Sequence, residues 1–131
     1  LLGQDDLRPL RLQLELLKPE RILREQGVLI IASGSMTHNL SEFAHDRRIN
    51  APAVPYVTAF ARWVESSIVK GDTESLLNYR TVAPHAVRAH PTDEHFVPLY
   101  FALGAAGSDT PNYLSREVMA GSFAMDAVAF G

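Results

Sequence analysis

The sequence predicts an α/β fold in which helices cover a parallel or mixed sheet. Residues 28–32 read Val-Leu-Ile-Ile-Ala, a short and continuously apolar run rich in β-branched side chains. This composition is typical of a strand buried on both faces, as in a parallel or mixed sheet covered by helices. Residues 55–70 instead carry apolar side chains at helical spacing, which predicts an amphipathic helix. Its apolar stripe consists of Val57, Phe60, Val64 and Ile68.

Length and composition limit the classes of protein to consider. With 131 residues, 47% of them hydrophobic, residues 1–131 suit one folded domain. The formal net charge of −3 argues against a protein that binds nucleic acid or anionic membranes generally. No apolar run approaches the roughly 18 residues of a membrane-spanning helix. Cysteine is absent, so any metal must be held by histidine, carboxylate or water, and we expect a cytoplasmic protein.

Helices and turns are predicted on both sides of the strand. The apolar repeat from Leu7 to Leu17 predicts an amphipathic helix, and a second short turn runs from Pro19 to Arg24. Residues 33–40 follow the strand as a turn-rich segment. The next helix begins at Pro55 and ends at Gly71, and a short helix from Glu74 to Tyr79 follows it.

The second half predicts one helical turn at residues 83–89 and a buried helix at residues 92–105. Pro98 lies inside that helix and cannot donate a hydrogen bond to the carbonyl of Glu94, so a kink is expected there. Residues 118–119 and 122–130 are predicted strands.

His38 is the first candidate site residue. It follows Ser33-Gly34-Ser35 at the carboxyl end of the predicted strand, where open α/β sheets bind ligands. We interpret it as a general acid or base, or as an imidazole close to a metal, because histidine titrates near neutral pH. The alternative is a solvent-exposed loop histidine. Gly34 would let the backbone approach a ligand, and Asn39 could orient the ring or bond the substrate.

A second candidate group, His90, Glu94 and His95, precedes the predicted buried helix. Each alone is explained as a residue flanking a helix, with Glu94 favoured by the helix dipole. Together, in a chain without cysteine, they favour a metal such as Fe(II), Mn or Zn. On one helix His90 and Glu94 would share a face while His95 points about 100° away. All three could then ligate one ion only if the helix started after His90.

Two segments together resemble a known family. Residues 27–40 read Gly-Val-Leu-Ile-Ile-Ala-Ser-Gly-Ser-Met-Thr-His-Asn-Leu. Residues 90–107 begin His-Pro-Thr-Asp-Glu-His-Phe-Val-Pro-Leu and end Ala-Leu-Gly-Ala-Ala-Gly. In this order they resemble the LigB-type class III extradiol ring-cleavage dioxygenases, and among them the branch of 4,5-DOPA dioxygenase-like proteins. Residues 122–126, Ser-Phe-Ala-Met-Asp, also look like the end of such a domain.

The resemblance implies an α/β fold with a mixed central sheet flanked by helices. It also implies O2-dependent opening of a catechol-type ring beside its two hydroxyls, at a non-haem metal. Fe(II) is the first expectation for that metal and zinc the second. By position, His38 matches the family's active-site histidine, as acid or base or as a ligand. His95, or else Glu94, matches a contribution to the metal site. We further expect three residues to contact the substrate or to support the site: Ser35, Asn39 and His90.

The resemblance covers only the C-terminal half of the family domain, whose members are about twice this length and carry metal-binding histidines in the other half. This chain has no histidine before residue 38 and does not begin with Met, so we expect a processed chain or part of a longer protein. We expect it to be inactive alone and to expose an apolar face to the missing half, a partner subunit or another copy in a homo-oligomer. The alternative is a non-catalytic metal-binding or protein-interaction module on the same fold.

Overall fold

The computed structural model describes residues 21–131, where helices precede two small sheets. The helices are α1 (Arg21–Glu25), α2 (Leu40–Phe43), α3 (Pro55–Lys70), α4 (Thr73–Leu77), α5 (Tyr79–Val82), α6 (Ala86–Ala89) and α7 (Val97–Ala106). The strands are β1 (Pro111–Ser115), β2 (Val118–Met119), β3 (Phe123–Ala124) and β4 (Ala127–Phe130). The α/β class is confirmed. The predicted helix at residues 7–17 lies outside the described residues.

Both sheets formed by residues 21–131 are antiparallel and two-stranded. β1 pairs with β4, and β2 pairs with β3. The β1–β4 register shifts between Tyr113 and Ser115. The predicted strand at residues 118–119 is confirmed as β2, whereas the one at residues 122–130 divides into β3 and β4. The central mixed sheet is not formed by this part of the chain.

Residues 28–32 form no strand, so the prediction of a strand buried on both faces is wrong for the described structure. Leu29 and Ile31 are 81% and 76% exposed. A strand needs a neighbour that pairs with its N–H and C=O groups. Among the described residues, backbone hydrogen bonds involve Val28 and Ser35 at the two ends but none of the residues between them. We call the exposed side chains of Val28, Leu29 and Ile31 the apolar strip.

α3 is the helix around which the core forms. Pro55 occupies its first turn, where the missing N–H has no helical partner to lose, and Gly71 ends it with a φ of 66°. Both bounds were predicted. Its buried face supplies one ring to a cluster of four whose centroids lie 4.6 to 6.4 Å apart. The rings belong to Phe60, Tyr79, His90 and Phe96. Each such pair contributes about 0.5–1.5 kcal/mol beyond its burial.

α7 begins at Val97 rather than at Thr92, so Pro98 lies in its first turn. The predicted kink is wrong because a proline in the first turn breaks no intrahelical hydrogen bond. A tight turn precedes the helix, in which the N–H groups of Phe96 and Val97 both donate to Asp93 O, at 2.8 and 3.0 Å. His90 and Glu94 therefore do not share a helical face.

Arg24 joins α1 to the end of the chain. Its guanidinium donates to Asp109 Oδ2 at 2.5 Å, to Ala105 O at 3.2 Å and to Phe130 O at 3.0 Å. These contacts hold α1 against the end of α7 and against β4. No helix within residues 21–131 is long and apolar enough to cross a membrane.

Candidate active site

The segment of residues 36–38 is held from two sides, which fixes the backbone of His38. The N–H of Met36 donates to Ala124 O at 3.1 Å, and the N–H of His38 donates to Ala89 O at 2.8 Å. Between them, Thr37 Oγ1 donates to Ser122 O and accepts from Ala124 N, both at 2.8 Å. β3 and the end of α6 thus fix the backbone position from which the His38 side chain extends.

The structure brings His38 and His95 together. Their rings stack with centroids 3.6 Å apart and 22° between the ring planes, and Phe123 lies 5.6 Å from the His38 ring. Burial and the neighbouring His95 lower the pKa of His38 below its usual 6.5, and the opposing effect of Glu94 does not restore it. The His38 imidazole is therefore neutral at neutral pH and available as a proton acceptor.

Glu94 lies on the open side of this pair. Its Oε1 atom is 4.0 Å from His95 Nε2 and accepts a hydrogen bond from Thr92 Oγ1 at 2.8 Å. Hydrogen bonds from its own backbone N–H and from Thr92 lower the pKa of Glu94, so its carboxyl is ionised at neutral pH. Since 63% of the Glu94 side chain and 43% of that of His95 are exposed, both groups can meet a ligand.

The two stacked imidazoles cannot chelate one ion in this arrangement. A metal–imidazole bond lies in the ring plane at about 2.0–2.1 Å. The ring centroids of His38 and His95 are 3.6 Å apart and the planes are nearly parallel. At most one of the two rings would then ligate, which leaves the other free for proton transfer. Residues 21–131 contain no group of three histidine, aspartate or glutamate side chains that could hold a metal ion.

The other three predicted site residues are engaged within the protein. His90 is fully buried with Nε2 2.8 Å from Met36 O, and burial lowers its pKa to about 4. Asn39 caps α2 through its side-chain oxygen, and its Nδ2 donates to Arg88 O at 2.7 Å. Ser35 Oγ donates to Thr37 O at 2.6 Å. Contact of these side chains with a substrate stays a prediction.

A cleft of about 370 Å³ opens beside His95. Its lining includes Ser35, Pro98 and Asp126, together with Ile31 of the apolar strip. Asp126 was not among the predicted site residues, although a carboxylate inside the apolar run of residues 123–130 is a signal that could have identified it. Burial and the nearby Glu65 raise its pKa to about 6.

Asp126→Asn is expected to stabilise the protein in a pH-dependent way. A carboxyl whose folded-state pKa is raised from 3.8 to about 6 opposes folding as pH rises through that range. The variant should therefore gain about 1–2 kcal/mol in free energy of unfolding at pH 8 and little near pH 4, measured by urea denaturation. Glu117→Gln, at an exposed position, is the control. Equal gains at the two pH values would contradict the expectation.

Gly34→Ala is expected to displace the backbone of His95. An added Cβ atom would overlap His95 O and would press on the Pro98 ring at 3.2 Å. The missing side chain of Gly34 therefore allows the backbone at Gly34 to pack directly against that at His95. We expect a loss of about 1–3 kcal/mol in free energy of unfolding. Urea denaturation measures this loss, with the exposed Ser33→Ala as control. An unchanged midpoint for Gly34→Ala would show that the two segments are not in contact.

A family model confirms the resemblance found in the sequence. Residues 19–129 match the LigB family, described as the catalytic LigB subunit of aromatic ring-opening dioxygenase. The match covers the stacked histidines, Glu94 and the cleft. The chain belongs to the LigB family.

Relatives with curated names place the chain near one branch of this family. It is 41% identical over 90 residues to a 4,5-DOPA dioxygenase extradiol of Beta vulgaris, covering 67% of this chain and 32% of the relative. It is 28% identical over 134 residues to a 4,5-DOPA dioxygenase extradiol of Escherichia coli (strain K12), covering 99% of this chain and 48% of the relative. The chain thus spans between a third and a half of the length of these relatives.

A solved structure supports the fold. The crystal structure of an uncharacterised protein from Escherichia coli K12 matches with a TM-score of 0.73 and 26% identity. The match covers 94% of this chain and 51% of that one. The described α/β arrangement is therefore similar to about half of a larger protein.

Proposed function

We propose that this chain supplies part of the active site of a non-haem metal-dependent extradiol dioxygenase, which opens a catechol-type ring with O2. The observation that carries the proposal is the stacked pair of His38 and His95, with Glu94 beside it at an open cleft, in a chain of the LigB family. The relatives named as 4,5-DOPA dioxygenases support a catechol-type small molecule as the substrate.

The geometry favours a division of roles between the two histidines. Burial and His95 lower the pKa of His38, so its ring is neutral at neutral pH and suits a general acid or base that accepts a proton from a catechol hydroxyl. His95, which lines the cleft, or else the exposed Glu94 suits a contribution to the metal site. Imidazole and carboxylate are ligands of Fe(II), which we propose first, and of zinc, which we propose second.

The remaining ligands must come from outside the described residues, since residues 21–131 hold no three-donor group. We propose that the rest of a LigB-type domain supplies them, either within a longer protein or from a partner subunit. The apolar strip is a suitable contact face, because such patches on soluble proteins commonly mark interaction sites. A homo-oligomer would cover the same strip with another copy. A cytoplasmic location stays a prediction from the sequence.

A second candidate function is a non-catalytic metal-binding or protein-interaction module. The exposure of Leu29 and Ile31 favours it, because exposed apolar side chains commonly mark a contact with another protein. In this case the stacked histidines would bind a metal weakly or would serve the fold, and no ring cleavage would occur.

The test is an oxygen-admission assay on the whole protein that contains residues 1–131. Fe(II) and one of several catechols are added without oxygen, O2 is then admitted, and absorbance follows the yellow ring-cleavage product. Product formation that requires both metal and O2 supports the dioxygenase. Metal binding without product from any of the catechols, in a protein shown to be folded, supports the non-catalytic module and overturns the enzyme.

A further inference from the structure

The buried imidazole of His90 contacts the candidate active site through the backbone. Its Nε2 atom lies 2.8 Å from the carbonyl oxygen of Met36, on the segment that carries His38. Because a carbonyl oxygen only accepts, Nε2 carries the proton and donates this hydrogen bond. The other ring nitrogen, Nδ1, is buried without a hydrogen-bond partner among the described residues. The ring therefore has one polar connection, and it leads to His38.

Packing fixes the direction of this hydrogen bond. The centroids of three rings lie 4.8, 5.6 and 6.4 Å from that of His90, and they belong to Phe96, Phe60 and Tyr79. A close-packed core leaves a side chain few alternative orientations. The N–H group is consequently aimed at Met36 O by its surroundings.

The backbone of His90 is connected to the segment that carries His95. Arg80 Nη1 donates to His90 O at 3.0 Å and to Asp93 Oδ1 at 2.6 Å, which holds the turn that leads to His95. Across the site, the N–H of Ser35 donates to His95 O at 2.9 Å. His90 is thus connected to both segments that present the stacked rings.

We propose that His90 is a positioning residue, whose hydrogen bond to Met36 O holds the His38 imidazole in its stack on His95. Its effect on turnover rests on the proposed function, whereas its effect on the ring pair does not. An apolar side chain would fill the same aromatic surroundings without burying a polar ring. Packing alone therefore does not account for a histidine here. The competing explanation is a core histidine that stabilises the fold and leaves the ring pair unaffected.

The experiment compares variants of the chain labelled with 15N and 13C at histidine. His90→Phe keeps an aromatic ring but removes the donor. His90→Gln places an amide N–H close to the position of Nε2 and should restore the hydrogen bond. Thr37→Val removes the two hydrogen bonds of Thr37 and tests the same segment without changing the core cluster. His45→Phe, at an exposed histidine, is the matched control.

The readout is the set of nuclear Overhauser contacts and ring-current shifts between His38 and His95, with circular dichroism as the check on folding. We expect His90→Phe and Thr37→Val to lose these contacts, and His90→Gln and His45→Phe to keep them. If a folded His90→Phe keeps the wild-type contacts, the proposal is wrong and His90 serves the fold alone. If His90→Phe does not fold, His90→Leu, which also lacks the donor, takes its place, and unchanged ring contacts in a folded His90→Leu overturn the proposal.

Turnover distinguishes this inference from the proposed function. In an active whole protein, His90→Phe should lower kcat by about 10- to 100-fold with little change in KM, because a displaced catalytic group still allows substrate binding. His90→Gln should recover most of that loss. An inactive wild-type protein in which the ring contacts still depend on His90 would overturn the dioxygenase and leave the positioning role standing.

Discussion

Replacing His38 with alanine is expected to lower kcat/KM for catechol cleavage by about 100- to 10,000-fold, the range typical of general acid–base catalysis. The His38 N–H donates to Ala89 O, and the His38 ring stacks on that of His95. Truncation should therefore remove the proton acceptor without moving the chain around it. Steady-state kinetics of the whole protein measure the loss.

Two further variants separate chemistry from structure. His38→Gln keeps a polar side chain that cannot exchange a proton at neutral pH, and it should be about as impaired as His38→Ala. His45→Ala removes an exposed histidine of the same region and should be unaffected. Activity of His38→Ala within a factor of about ten of wild type would exclude the acid–base role.

Acid is expected to destabilise the fold through His90. Burial lowers the pKa of His90 from 6.5 to about 4; His38 and His95 act in the same direction, and Asp93 opposes them. As pH falls, His90 is protonated in the unfolded chain before it is protonated in the folded one. The contribution of the neutral His90 to the free energy of unfolding is therefore fully present above pH 6.5 and is lost as pH falls towards 4. The loss should be about 2–3 kcal/mol in free energy of unfolding.

Urea denaturation of wild type and His90→Gln across this pH range measures the contribution. The free-energy difference between the two proteins should grow with pH from 4 to 6.5 and then stay constant. His45→Gln, at an exposed position, is the control. A difference that does not vary with pH would mean that the pKa of His90 is the same in the folded and the unfolded chain.

Helix bounds could be predicted where local chemistry decides them. Pro55 and Gly71 limit α3 because a first-turn proline and a left-handed glycine act within a few residues. The same rule about prolines did not locate the start of α7, because the apolar run after residue 95 does not show where the helix begins. Pro98 was therefore expected inside the helix and lies in its first turn. The turn around Asp93 sets that start, and its connections to Tyr79 and Arg80 are distant in sequence.

The apolar run at residues 28–32 shows a different limit. Its composition indicates a buried strand, but burial and pairing depend on neighbours that composition does not contain. Without a neighbour among the described residues, the run stays unpaired and exposed. The histidines show the reverse case. Residue type and position after a predicted strand made His38 a candidate, but its stacking on His95 depends on tertiary contacts with Ala89 and Ala124, which the sequence does not show.

The hydrogen bond from Arg24 to Phe130 O makes the two ends of the described chain sensitive to each other. Truncation before Phe130 would take away one of the three acceptors that hold the guanidinium. The backbone after Arg24 would then become a better substrate for an endoprotease that cleaves after arginine. Limited digestion at Arg24 can accordingly report whether Phe130 is present and in place.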